Sequence, residues 1–147
     1  MEIAVLACGC FWGPEIKFNK LEGVYRTEVG YCGGYTEKTS YREVCTGNTN
    51  HAEVVKLEFD PEIISYEKIL EFFFDIHDPT TLNAQGPDFG TQYRSEIFYL
   101  NNSQKEIAEK VFKKINIKLN NKVVTKISLL NNYSIAEEYH QKYLEKN

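Results

Sequence analysis

After Met1 the chain runs Glu2-Ile3-Ala4-Val5-Leu6-Ala7-Cys8. A run that is apolar on both alternating faces predicts a central strand covered on each side. The period then changes. Phe11, Phe18 and Leu21 recur at helical spacing, and Pro14 suits a first turn, so a helix is predicted there. Val24 to Cys32 reads as a strand that stops at the turn signal Gly33-Gly34. Residues 53–59 alternate as a strand does. Tyr66, Ile69, Leu70, Phe73 and Phe74 follow the i, i+3, i+4, i+7, i+8 pattern of an amphipathic helix, which ends near Asp78-Pro79. Residues 79–93, rich in Thr, Gly, Pro, Asn and Asp, read as an ordered loop. Ser95 to Leu100 is a predicted strand, followed by a helix with Ser103 and Glu106 as its capping box and Ile107, Val111 and Ile115 as its stripe. Val123 to Leu130 is a further strand, and Ser134 with Glu137 predicts the opening of a last helix through Tyr143. No repeat or linker interrupts this order. Strands and helices so mixed predict an α+β two-layer sandwich, with residues 1–147 as one domain.

Composition adds exclusions. A chain of 147 residues buries roughly 68–70% of its unfolded surface, enough to fold without disulfide or metal. Its 17 basic and 21 acidic residues give a formal charge of −4, with no basic footprint for nucleic acid. No stretch approaches the ~18 apolar residues of a membrane helix. The first residues lack the basic start and cleavage site of a signal peptide, so a cytoplasmic protein is expected. The four cysteines are Cys8, Cys10, Cys32 and Cys45, all in the first third of the chain. Clustered thiols in such a chain suggest thiol chemistry or metal binding, although any single cysteine is more often a small buried hydrophobe.

Three groups of residues could carry chemistry. Cys10, in Gly9-Cys10-Phe11-Trp12-Gly13, lies where a buried strand gives way to a helix. Backbone N–H groups at a helix start stabilise a thiolate and lower its pKa below the free value of ~8.5. Phe11 and Trp12 beside the sulfur would wall an apolar pocket suited to a methyl on sulfur. The same local pattern also fits a plain strand-to-helix turn with two core aromatics. Glu53 shares a strand face with Val55, Leu57 and Phe59, while Lys56 and Glu58 face water. A carboxyl on the core side is costly unless hydrogen-bonded or protonated, and burial raises its pKa toward that of a proton donor. A Glu opening a strand can equally reach solvent. Tyr41, Asp88 and Tyr93 are polar groups in predicted loops. Tyrosine hydroxyls donate hydrogen bonds while neutral, which suits a substrate oxygen, and half-buried packing is the other reading of each. His51 could pair with Cys10 as base and nucleophile of a hydrolase or transferase. Cys8, Cys10, Cys32, Cys45 and His51 could also form a metal cage, but the second C-x2-4-C knuckle of a zinc site is absent and no metal is expected.

Taken together these residues resemble peptide methionine sulfoxide reductase of the A type, over nearly the whole chain from Ala7 to Tyr143. The segments that carry the resemblance are Gly9-Cys10-Phe11-Trp12-Gly13, Gly30-Tyr31-Cys32-Gly33-Gly34, Tyr41-Arg42-Glu43-Val44-Cys45 and His51-Ala52-Glu53-Val54-Val55. They continue with His77-Asp78-Pro79-Thr80, the run Gln85 to Ser95, and Glu138-Tyr139-His140-Gln141-Lys142-Tyr143. The resemblance implies an α+β sandwich with a βαβ, ferredoxin-like core. It implies that Cys10 is the nucleophile, that Phe11 and Trp12 hold the substrate methyl, and that Glu53 is the acid. Tyr41 and Tyr93 would stand near the sulfoxide oxygen and Asp88 would contact the substrate backbone. The reaction implied is reduction of methionine S-sulfoxide, free or in proteins, through a Cys10 sulfenic acid. No bound cofactor is expected. Electrons would come from an external thiol, a thioredoxin- or glutaredoxin-like protein, and the enzyme would act as a monomer in protein repair.

The chain departs from the family pattern at several positions. Many relatives carry a resolving cysteine in a C-terminal tail, whereas here no cysteine follows Cys45. Cys8 stands where the usual motif has Gly, Cys32 where Ala is common, and Asn50 where Gly is common. Asn tolerates a left-handed turn, so little harm is expected at position 50. A single-cysteine cycle with external reduction is expected, and recycling through Cys32 or Cys8 is the second reading, although two residues between Cys8 and Cys10 would strain a disulfide.

Overall fold

A computed structural model describes residues 1–147. The opening apolar run forms β1 (Glu2–Cys8), and Ala4 to Ala7 are at most 1% exposed. The chain continues through α1 (Trp12–Asn19), β2 (Val24–Cys32), the single turn α2 (Tyr41–Val44), β3 (Ala52–Phe59) and α3 (Tyr66–Asp75). A two-residue hairpin, β4 (Ala84–Gln85) and β5 (Asp88–Phe89), sits in the predicted loop, and a 3-10 turn at Thr91–Tyr93 leads into β6 (Ser95–Tyr99). Then come α4 (Asn102–Lys118), β7 (Lys126–Leu129), β8 (Ser134–Ile135), a 3-10 turn at Glu138–His140 and α5 (Tyr143–Lys146).

Six strands form one mixed sheet in the order β7-β6-β1-β3-β2-β8. β1 and β2 both run antiparallel to β3, which lies between them, so β1-α1-β2 is a split βαβ unit. β6 joins the free side of β1 antiparallel, and β7 returns through α4 to lie parallel beside β6. The expected α+β sandwich with a ferredoxin-like core is therefore observed.

The main core lies between the helices and one face of the sheet, where Ala4, Leu6 and Cys8 of β1 meet Val55, Leu57 and Phe59 of β3 and Ile69, Leu70 and Phe73 of α3. The other face was expected to meet water along β3. It does so only at Lys56 and Glu58. Ala52 and Val54 are fully buried with Val5, Ala7, Cys32 and Phe98, beneath Leu130 and Tyr133 of the segment that leads to β8. A second, smaller core thus closes the back of the sheet.

Two local expectations are corrected. The α4 cap is Asn101, whose side chain accepts from the Gln104 N–H at 2.9 Å while Gln104 Oε1 accepts from Leu100 N–H. Ser103 lies inside the helix, and Glu106 accepts from the Asn102 side chain. Ser134 and Glu137 open no helix. Ser134 and Ile135 pair with Tyr31 and Gly30 as the edge strand β8, and long-range pairing overrides the local cap signal. Asn50 adopts a left-handed φ of 58°, as its side chain permits.

Candidate active site

Gly9 makes the site possible. Its φ of +94° breaks β1 into a turn, and a Cβ there would lie 2.9 Å from the Gln85 side chain on the β4–β5 hairpin. Cys10 follows, half-buried, ahead of α1. The next N–H, that of Phe11, donates to Glu53 Oε1 at 3.1 Å. This bond fastens the residue after Cys10 to the start of β3. Glu53 is 1% exposed and stands opposite Tyr31 of β2.

The electrostatics of the pair are unequal. Burial pushes the Glu53 carboxyl up to about 8, opposed by the Phe11 N–H and reinforced by Asp88. It is therefore neutral at pH 7. Cys10 was expected below the free thiol value. The Trp12 N–H does bond the sulfur and favours the thiolate, but burial, with Glu53 and Asp88 adding to it, carries the thiol up to about 11. Desolvation outweighs the helix start because a charge without bulk water loses more than one N–H returns. The phenols keep their protons: burial pushes Tyr93 up to about 12, with Glu53, Cys45, Asp88 and Cys10 adding to it. Tyr41 is likewise held above the ordinary phenol range by burial and by neighbours that include Cys45, Tyr93 and Glu53. Glu53 and Asp88 are electrostatic neighbours of Cys10, and Glu53 is a neighbour of both Tyr41 and Tyr93; the five residues come from the β1–α1 turn, β3, α2 and the segment between α3 and β6.

The aromatic wall is asymmetric. Phe11 is 1% exposed, its ring 5.6 Å from Tyr31 and 5.3 Å from His140. Trp12 is half-buried and stacks on Tyr143 at 3.8 Å between centroids, 11° from parallel. Its indole N–H donates to His140 Nδ1 at 3.0 Å. His140 Nε2 then carries the ring proton, and it is buried without a partner. The Tyr41 ring lies 4.5 Å from the His140 ring.

Sequence reasoning missed Tyr31, Glu137 and His140 as site residues. Glu137 accepts from the Tyr31 hydroxyl and from the Tyr41 N–H, both at 2.8 Å, and so ties the β2 strand, the α2 turn and the C-terminal segment together. Burial disfavours the Glu137 carboxylate, yet these donors and nearby His140 hold it below the usual range. Only the spacing of His140 and Tyr143 could have hinted that both return to α1.

The alternative readings lose their geometry. His51 is buried, accepts the Gly34 N–H at Nδ1 and bonds Thr36 O through Nε2 at 2.9 Å, so both nitrogens hold a loop and neither serves Cys10. Cys32 points to the back of the sheet, where its thiol donates to Asn131 O, and Cys8 is in the main core. The proposed metal cage is not assembled. A surface hollow along α4 among Lys105, Lys113, Phe112 and Ile117 contains none of these site residues. No helix is long and apolar enough to cross a membrane.

Residues 2–147 match the family described as "Peptide methionine sulfoxide reductase". The chain is 77% identical over 146 residues to a protein named peptide methionine sulfoxide reductase MsrA from Pelagibacter ubique, covering 99% of both chains. Among solved structures, reduced Mxr1 from Saccharomyces cerevisiae superposes with a TM-score of 0.95 at 42% identity, covering 99% of this chain and 85% of that one. That yeast protein is also known in complex with Trx2, where the TM-score is 0.69 at 26% identity, covering 97% of this chain and 84% of that one. Methionine sulfoxide reductase A of Corynebacterium diphtheriae gives 0.94 at 36% identity, covering 99% of this chain and 74% of that one. The chain belongs to the A-type peptide methionine sulfoxide reductases, thiol-dependent oxidoreductases that return oxidised methionine to methionine.

Proposed function

We propose that Cys10 attacks the sulfur of methionine S-sulfoxide while Glu53, Tyr41 and Tyr93 donate hydrogen bonds to its oxygen. A sulfoxide sulfur is a weak electrophile until its oxygen is polarised. A neutral carboxyl and two phenols supply three donors without placing negative charge beside the oxygen. As the oxygen is polarised the substrate sulfur gains positive charge, which draws the Cys10 thiol toward its thiolate. The oxygen passes to Cys10, the thiol proton is accounted for in Cys10–SOH, and methionine leaves: one thiol and one sulfoxide become one sulfenic acid and one sulfide. Trp12, with Phe11 behind it, receives the S-methyl, and Asp88 on the β4–β5 hairpin accepts a backbone N–H of the substrate.

The observation that carries this reading is Glu53, held on the core side of β3, bonded to Phe11 N–H and neutral at pH 7. The substrate is the S-sulfoxide, free or in a protein, and the enzyme acts in the cytoplasm without a bound cofactor. An external dithiol regenerates Cys10. The yeast relative solved with Trx2 supports a thioredoxin-like donor; a glutaredoxin-like donor offers the same thiol. The test is turnover of the two sulfoxide epimers with dithiothreitol. Wild type is expected to consume the S epimer alone and Cys10→Ser neither, whereas turnover by Cys10→Ser would overturn the assignment.

A further inference from the structure

Glu137 joins two parts of the site without belonging to its chemistry. Its carboxyl oxygens take different partners, both at 2.8 Å: Oε1 accepts the Tyr31 hydroxyl and Oε2 accepts the Tyr41 N–H. Tyr31 is fully buried in β2, where it pairs with Glu53 of β3. Tyr41 is the first residue of α2.

Tyr41 has few other anchors. α2 is a single turn whose cap, Ser40, belongs to the same segment, and Arg42, Glu43 and Cys45 to Asn48 are exposed around it. Val44 packs into the main core. The bond to Glu137 is the one hydrogen bond that joins α2 to a distant part of the chain. The Tyr41 ring lies 4.5 Å from the ring of His140. The His140 N–H donates to Glu137 O at 3.0 Å, and its Nδ1 accepts the Trp12 indole N–H. One turn of the C-terminal segment thus holds Tyr41 twice, at its amide and at its ring, and a side chain so held keeps a single direction.

We propose that Glu137 is a positioning residue for sulfoxide reduction: by bridging Tyr31 and Tyr41 it sets the place from which the Tyr41 hydroxyl donates to the sulfoxide oxygen. This rests on the reductase reading and on the part that reading gives to Tyr41. Glu137 bonds neither Cys10 nor Glu53 and acts through Tyr41 alone. Its contribution is geometric. A donor works only where the oxygen gathers charge in the transition state, and a misplacement of about 1 Å at such a group costs on the order of 10²-fold in rate. The reach of the side chain matters, and its charge does not.

Two conservative variants separate reach from charge. Glu137→Gln keeps the reach: its amide oxygen accepts from the Tyr41 N–H while its amide N–H donates to the Tyr31 hydroxyl, which accepts as well as it donates. Glu137→Asp keeps the charge but is one methylene shorter, so it no longer spans both partners.

The experiment mixes reduced full-length enzyme with excess methionine S-sulfoxide without reductant and follows the rate at which the first equivalent of methionine appears. Recycling of Cys10 then does not enter. Glu137→Asp is expected to lower the saturating rate by about tenfold or more, with the half-saturating concentration changed by less than about twofold. Glu137→Gln should stay within about threefold of wild type in both quantities. In a Tyr41→Phe background, Glu137→Asp should cost less than about twofold further, because the hydroxyl it positions is already gone. The same tenfold loss recurring in that background would overturn the proposal. A folded Glu137→Gln enzyme that loses about tenfold or more in saturating rate would overturn it by itself, whether or not Glu137→Asp folds. Wild type that releases no methionine, or Tyr41→Phe as fast as wild type, would instead overturn the reading beneath it.

Discussion

The Phe11 N–H and the Glu53 carboxyl meet at 3.1 Å across 42 residues of sequence, joining the turn that carries Cys10 to a buried strand end. One amide favours the carboxylate, but burial on the core face favours the neutral acid by more, and the carboxyl titrates at about 8. An acid that is neutral at pH 7 and a thiol raised to about 11 then share the site. Their first proton loss belongs to the acid.

This order of titration fixes the pH profile. The reactive form has a thiolate and a neutral Glu53, so kcat/KM should rise about tenfold per pH unit while Glu53 keeps its proton. Above about 8 each gain in thiolate is cancelled by an equal loss of neutral acid, and the profile levels. Glu53→Gln keeps a donor that cannot ionise, so its profile should continue to climb past 8. Glu53→Ala should lose on the order of 10²-fold or more at pH 7. Identical profiles for wild type and Glu53→Gln would remove Glu53 from the chemistry.

Stability should follow the same group with a determined sign. The Glu53 carboxyl lies at about 8 in the folded protein against 4.5 when free, so the folded state binds the extra proton between those values. Its contribution is fully present below about 4.5 and is lost as pH rises through about 8. Urea midpoints measured from pH 5 to 9 should fall for wild type and fall less for Glu53→Gln.

Trp12 is the only tryptophan of the chain, which makes the aromatic wall directly observable. His140→Phe leaves the indole N–H without its acceptor, a change of roughly 1 kcal/mol. The expected result is a KM increase of about fivefold with kcat little changed, together with altered Trp12 fluorescence. An unchanged emission spectrum would show that His140 does not position the indole.

Much of the site was legible because it is local. Gly9, Cys10 and the helix after them form one strand-to-helix turn, and the alternation of residues 53–59 put Glu53 on the core face. What was not legible depends on distance. Glu137 looked like part of a helix cap, yet its carboxylate serves Tyr31 and Tyr41, 106 and 96 residues away. His140 acts on Trp12 across 128 residues, and the second core forms only where the segment before β8 folds over Ala52 and Val54. The Cys10 thiol shows the same limit: the helix start is visible in sequence, whereas the desolvation that outweighs it comes from neighbours that only the fold supplies.

The back of the sheet holds a further test, independent of the chemistry. Arg94 Nε donates to Glu96 Oε1 at 2.6 Å with both side chains at most 7% exposed, and Ser128 donates to the other carboxyl oxygen. A buried pair of this kind adds little by itself, because bringing both charges out of water cancels much of their attraction. Removing one partner is different: Glu96→Ala strands a guanidinium beneath the sheet and should cost about 3–5 kcal/mol. The replacement that removes both charges, Arg94→Met with Glu96→Leu, should recover most of that loss. Chemical denaturation of the two variants separates the cases. Equal destabilisation would mean that the pair itself, and not the abandoned charge, sets the cost.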